Sequence, residues 1–326
     1  MSNDDEEIIT SKSSYRASIY PLKYPDIYDY SLKLSQNYWM VTDVKFDQDM
    51  VDIKSATEGE KNLISYIFAI FLYADNKVIE YINKCALPIV TLPEWKSFLT
   101  QKEANEDIHA QVYSNGAYSL FREKFDELLN KMENDSSIIA KLDWVNSWID
   151  KKDVTYAQIS FAFSCFEGIS FQGLFCAIYI LCQNGKYPGM RLSNEIISRD
   201  ENLHAEAELY ILNNYTKNRI SPKEAHKIIK DLVKSEEEFI RNALKFDVIG
   251  LSIEKMINYV KYVANNHASR AGYQPVYPDI TENPYPVMNK MGVKRRTNFF
   301  EDSDANYMKL AEADDGIYDW KKVNKF

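Results

Sequence analysis

Two of the four histidines in this 326-residue chain follow a glutamate by three positions, Glu106 with His109 and Glu201 with His204. On an α-helix, residues three apart share a face, so each pair can turn one carboxylate and one imidazole toward a common point. Both motifs therefore ask for helices, and the helices must face one another across a core for the four groups to meet. No other feature of the sequence constrains the fold as tightly.

The surrounding pattern is helical. Thr57-Glu58-Gly59-Glu60 has the form of a capping box and precedes a long apolar run, which predicts a helix over 58–84. Pro93 suits the first turn of the next helix, which carries Glu106, His109 and Tyr113. Thr155-Tyr156-Ala157-Gln158 is a second capping box, opening a helix that reads as continuous through residue 182. Residues 184–189 read as a loop, and further helices are expected over 193–213, 221–245 and 251–268. No strand-like alternation of useful length and no short repeat is visible. Gly and Pro number only 10 each, which also favours helices. The expectation is an all-α bundle over 21–292, with a polar N-terminal arm at 1–20 and a C-terminal tail at 293–326.

Two more carboxylates stand where a carboxylate is costly. Residues 159–182 hold a single charged side chain, Glu167, in 24 positions. An ionised acid there must be paired or bind a metal, or else remain neutral. Asp75 closes the apolar face of the 58–84 helix, as a ligand or as a solvated helix end. Bundle sites for two metal ions use one Glu-x-x-His from each of two helices and one carboxylate from each of two others. Oxygen and imidazole donors without a thiol suit iron or manganese rather than a structural zinc. Tyr113 lies four residues after His109, on the same helical face. It is a packing residue or, beside an oxygen-activating metal pair, a site of one-electron oxidation.

Composition excludes other classes. A net charge of -9 argues against a nucleic-acid binder, which needs a basic face. The cysteines Cys85, Cys165, Cys176 and Cys182 form no CxxC pair and read as buried thiols in a reducing, cytoplasmic setting. The first nine residues carry Asp4, Asp5, Glu6 and Glu7 and do not resemble a signal peptide. The 159–182 run is long enough for a bilayer, but Glu167 and Gln172 interrupt it and no basic cluster flanks it. It reads as a core helix.

Taken in order, Tyr38-Trp39, Asp75, Glu106-Asp107-Ile108-His109, Lys141-Leu142-Asp143-Trp144, Glu167-Gly168-Ile169, Ile197-Ser198-Arg199-Asp200-Glu201-Asn202-Leu203-His204 and Arg296-Thr297-Asn298-Phe299-Phe300-Glu301 make a specific set. With it the chain resembles the small subunit of class I ribonucleotide reductase, of the eukaryotic and large-DNA-virus type, over nearly its whole length. The resemblance implies a ferritin-like bundle with a dinuclear metal site in its core. Asp75, Glu106 and His109 match the ligands of one ion, and Glu167, Glu201 and His204 those of the other, with Glu106 and Glu201 bridging. Tyr113 falls at the radical tyrosine. Phe171, Phe175 and Ile197 match the apolar shield of that radical. Trp39, Asp200 and Tyr307 match a long-range electron and proton route, and Glu301 a nearby tail acid.

The implied activity is that of ribonucleoside-diphosphate reductase. Two iron ions, or manganese, and dioxygen make a tyrosyl radical, which a separate large subunit uses to reduce ribonucleotides. The implied assembly is a homodimer whose C-terminal tail docks on the large subunit, with no membrane and no nucleic acid as partner. The chain departs from the pattern at its end, Lys321-Lys322-Val323-Asn324-Lys325-Phe326, where the terminal aromatic is kept and the acidity is lost. Other ferritin-like oxygenases, desaturases or iron stores would share the metal site but would have no use for Trp39, Asp200 and Tyr307. A non-catalytic paralogue usually lacks some of the six ligands.

Overall fold

A computed structural model describes residues 7–289. Eleven α-helices account for most of them: α1 (Pro25–Gln36), α2 (Asp47–Asp52), α3 (Glu58–Tyr81), α4 (Pro93–Phe121), α5 (Phe125–Asn134), α6 (Ser136–Ile149), α7 (Tyr156–Cys165), α8 (Phe171–Leu181), α9 (Pro188–Asn214), α10 (Pro222–Ala243) and α11 (Ile253–Arg270). Among the described residues no strand forms, and the one β-type pairing is an isolated bridge between Val248 and Leu251. The all-α expectation holds.

The start signals read from the sequence work as physical caps. Thr57 Oγ1 accepts from the Glu60 amide at 3.2 Å while the Glu60 carboxylate accepts from the Thr57 amide at 2.7 Å. Thr155 and Gln158 repeat the arrangement at the start of α7, at 3.2 and 2.8 Å. Each box satisfies two amides that a helix start leaves without partners. Pro93, Pro188 and Pro222 occupy first turns, where a missing N–H costs nothing.

α3 and α4 pack along each other, α9 packs on α4, and α7 and α8 pack on α9. These five helices surround the core, with Asp75 on α3, Glu106 and His109 on α4, and Glu201 and His204 on α9. α1 covers α4, while α6, α10 and α11 close the other side around α3, α7 and α8.

Two stretches that read as continuous helix do not run as plain α-helix. After Tyr81 the chain widens into a π-turn at Ile82–Ala86. A second π-turn, Phe166–Ser170, separates α7 from α8 and contains Glu167. Such turns insert an extra residue into the helical ladder and re-aim the side chains they carry. The span Tyr156–Leu181 is apolar and long enough to cross a membrane, yet 94% of its most apolar window is buried inside the bundle.

α9 begins five residues before the expected start, at Pro188, after Tyr187 in the left-handed region (φ 55°). Asp49 anchors this entry by accepting from the Gly189 and Met190 amides, both at 2.8 Å. Residues 7–20 run without long helix, and Ile9 is 2% exposed there. The Arg16 guanidinium pairs with the buried Glu94 at 2.5 Å.

Candidate metal centre

Asp75, Glu106, His109, Glu167, Glu201 and His204 are all fully buried. Their ligand atoms converge in two overlapping groups. Asp75, Glu106, His109 and Glu201 each bring one donor atom within 4.8 Å of the others, and so do Glu106, Glu167, Glu201 and His204. Glu106 and Glu201 belong to both groups. They also interlock: His109 Nδ1 lies 3.0 Å from Glu201 Oε1, and His204 Nδ1 lies 2.9 Å from Glu106 Oε1. Each Glu-x-x-His motif thus faces the carboxylate of the other across the α4–α9 interface.

Electrostatics in this cluster are extreme because four carboxylates share a dry space. Burial, with Glu106 nearby, pushes the Asp75 carboxyl well above its ordinary range. Burial also pushes Glu167 up to about 8, against the pull of the Lys102 ammonium. Burial opposes the charged forms of Glu106 and His204 too, but their mutual attraction outweighs it. Glu106 is held below the usual carboxylate range and His204 rises to about 9. His109 is raised well above its ordinary value because Asp200, Glu106 and Glu201 overcome its desolvation.

The donor set fits two metal ions. Both Asp75 oxygens, Glu201 Oε2 and His204 Nε2 are buried without a hydrogen-bond partner among the described residues. Buried polar atoms left so are costly, and a cation is the partner that carboxylates and a neutral imidazole share. No cysteine joins either group; all four are free thiols elsewhere. Six oxygen and nitrogen ligands, two of them common to both halves, suit a pair of iron or manganese ions.

Around the cluster lie the other residues singled out by sequence. Asp200 is 1% exposed and accepts from the Trp39 indole at 2.7 Å and from the Asn105 amide at 3.3 Å. The same Oδ2 lies 3.5 Å from His109 Nε2, and Arg199 reaches Oδ1 at 3.1 Å. Trp39 stacks over His109, with ring centres 5.9 Å apart. Trp39 is buried, while its neighbours Tyr38 and Met40 are 62% and 51% exposed. Trp39, Asp200 and His109 therefore form a contiguous path from a surface edge to the cluster.

Tyr113 is 2% exposed and its hydroxyl has no hydrogen-bond partner among the described residues. Burial raises its pKa well above normal, and the charge of Asp75 adds to that. Phe171, Phe175 and Ile197 are fully buried. Phe71 links the two phenylalanines to Tyr113, with centroids 5.5 Å from Phe171 and 5.8 Å from Phe175.

Sequence reasoning missed Phe71, which stacks parallel on Tyr113 at 4.0 Å. Its signal was its place one turn before Asp75 on the same face of α3. Lys102 and Glu208 were also missed; each lies one turn from a motif, before Glu106 and after His204. Tyr307, Glu301 and Phe326 lie outside the described residues.

A helical bundle with two half-sites sharing two carboxylates defines the class of dinuclear carboxylate proteins. Comparison with known proteins narrows the class. Residues 16–284 match the family model described as ribonucleotide reductase, small chain. Among curated relatives, the ribonucleoside-diphosphate reductase small subunit of Dictyostelium discoideum is 33% identical over 95% of this chain and 91% of its own length. The corresponding small subunit of Trypanosoma brucei brucei is 31% identical over 93% and 90%.

Solved structures share the fold. The ribonucleotide reductase Rnr4 homodimer from Saccharomyces cerevisiae superposes with a TM-score of 0.78 at 24% identity, covering 94% of each chain. The dimanganese(II)-NrdF of Streptococcus sanguinis does so with a TM-score of 0.72 at 18% identity, covering 81% of this chain and 95% of that one. This chain belongs to the ribonucleotide reductase small-chain family: it is the small subunit of an oxidoreductase of the dinuclear-metal kind.

Proposed function

We propose that this small subunit makes and stores a radical on Tyr113 and passes it to a large subunit that reduces ribonucleoside diphosphates. Asp75, Glu106 and His109 would hold one iron ion, and Glu167, Glu201 and His204 the other. When bound, the iron pair with dioxygen supplies the one-electron oxidant. Manganese fits the same donors.

The chain's own residues do the rest. The observation that carries the reading is the setting of Tyr113, whose hydroxyl is unpartnered and whose ring is stacked on Phe71 one helical turn from His109. Phe71, Phe171, Phe175 and Ile197 exclude water and reductants from the ring. Asp200 accepts from Trp39 and approaches His109, which orients the imidazole and couples electron movement along Trp39 to a proton at Asp200 Oδ2. Tyr307, in the 293–326 tail, would carry the radical on to the large subunit, and that tail would dock there. We further propose that the chain works as a homodimer, as in the Rnr4 relative, in a reducing cytoplasm where its free thiols stay reduced.

The test is electron paramagnetic resonance of the metal-free chain after ferrous iron and then air. A tyrosyl signal with about two irons per chain is the expected result. Tyr113→Phe should keep the metal and lose the signal; a signal that survives this change sinks the assignment. Loading with manganese in parallel identifies the working metal.

A further inference from the structure

The dinuclear cluster contains a cation of its own. Lys102 lies on α4 one turn before Glu106, and its side chain has 0% exposure. Its Nζ stands 2.7 Å from Glu167 Oε1 and 3.4 Å from Glu208 Oε1. Glu208, on α9 one turn after His204, is also fully buried and belongs to neither donor group. Its carboxylate accepts from Ser160 Oγ on one oxygen and from the Tyr81 hydroxyl at 3.3 Å on the other. Buried charges are kept only in company. Lys102 and Glu208 would already make a neutral pair, with Ser160 and Tyr81 completing the carboxylate. Yet the ammonium sits closer to Glu167 than to Glu208.

This makes the two halves of the site different. Among the described residues, no lysine or arginine nitrogen is ion-paired with Asp75, Glu106 or Glu201; the cluster histidines face Glu106 and Glu201, and both Asp75 oxygens are without a hydrogen-bond partner. Of the six candidate ligands, Lys102 is ion-paired with Glu167. Like charges a few ångströms apart in a dry site repel strongly. A divalent cation between Glu167 and His204 feels that repulsion more than one between Asp75 and His109. Glu208 offsets part of it.

We propose that Lys102 is a positioning residue that makes the dinuclear site unequal: its ammonium claims one oxygen of Glu167 and weakens the Glu167–His204 half for a divalent cation, while Glu208 limits the effect. The two halves then fill in order, with the Asp75–His109 half first. The inference rests on the six-ligand reading above.

Anaerobic titration of the metal-free full chain with cobalt(II), followed by calorimetry and cobalt absorption, tests it. The wild type should bind two ions in two steps whose Kd values differ by about tenfold or more. Glu208→Gln removes the offset with little change of shape and should widen the gap. Lys102→Gln with Glu208→Gln removes both charges and should narrow it, with the tighter step nearly unchanged. Lys102→Arg keeps the cation and should keep the gap.

A purely structural role would weaken both steps together and leave their ratio alone. Two steps with the same ratio in wild type and Glu208→Gln overturn the proposal, even if the double variant does not fold. Equal steps in the wild type overturn it as well. Uptake of fewer than two cobalt ions by the wild type would instead remove the dinuclear reading on which it stands.

Discussion

The Trp39 indole donates to Asp200 Oδ2 at 2.7 Å, and the same oxygen lies 3.5 Å from His109 Nε2. One carboxylate oxygen thus joins a ring at the edge of the fold to an imidazole at the metal cluster. Asp200→Asn keeps an oxygen for the indole but removes the charge that holds the imidazole. Metal content and melting temperature should change little, since the replacement is isosteric. Nucleotide reduction with the large subunit should fall by about a hundredfold or more, the usual scale for losing a positioned proton partner. Parallel assays of bound metal and of deoxynucleotide formation check this; full turnover in Asp200→Asn would remove Asp200 from the route.

Phe71 and Tyr113 give a second prediction, in which two substitutions pull stability in opposite directions. Phe71→Ala empties a fully buried site and should cost about 3–5 kcal/mol. Tyr113→Phe deletes a buried hydroxyl without a partner, so the metal-free chain should become more stable by about 1 kcal/mol. Urea denaturation of the metal-free proteins measures both. In Phe71→Ala the radical signal should also decay faster, because the phenol ring loses the aromatic face stacked on it.

His267 supplies a pH dependence from a residue outside the ligand set, packed against the turn that carries Glu167. Its ring is fully buried, and burial, with the Arg270 charge adding to it, lowers its pKa from 6.5 to about 3. Ser164 Oγ donates to the Phe161 carbonyl at 2.8 Å and lies 3.1 Å from His267 Nε2, so Nε2 must be the donor in that second contact. Nδ1 is left bare. As pH falls below about 6.5 the unfolded imidazole takes up a proton that the folded one refuses until about pH 3. The stability this group contributes is therefore complete above pH 6.5 and is lost on acidification. Between pH 6 and 4 the wild type should lose up to about 1.4 kcal/mol per pH unit more than His267→Gln. Urea midpoints at three pH values decide it; parallel curves would mean that His267 is not buried neutral.

How much of this was legible depended on how local each signal was. Glu106–His109 and Glu201–His204 could be read because a three-residue spacing fixes a shared helical face without help from the rest of the chain. Glu167 stood out because a single charge in an apolar run has few inexpensive fates. The set of helices followed from caps that operate within four residues, as at Thr57 and Thr155. Lys102 carried no such mark. In Gln101-Lys102-Glu103 it looks like part of a solvated face, and only the approach of α9 and the turn at Glu167 bury it. Phe71 was one aromatic among several in α3, and its stacking on Tyr113 is set by the packing of α3 on α4. The π-turn at Phe166–Ser170 was hidden for the same reason, since it depends on what packs beside it.

Gly168 shows what that turn depends on. It follows Glu167 directly, and a Cβ added to it would stand 2.6 Å from His267 Nδ1 and 3.3 Å from the Ala205 Cβ. The first distance is closer than any real contact, and the second lies on α9 beside His204. Gly168→Ala must therefore push α11, or push the turn itself. Overpacking of this kind costs about 1–3 kcal/mol. The consequence for the site is specific, because the displaced backbone carries Glu167 and not Asp75. Gly168→Ala should retain about one tightly held metal ion per chain and lose the second, whereas a general loss of stability would release both. His267→Ala in the same chain makes room for the methyl and should restore the second ion. Metal analysis after gel filtration distinguishes these outcomes, and two retained ions in Gly168→Ala alone would mean that the turn tolerates a side chain without moving Glu167.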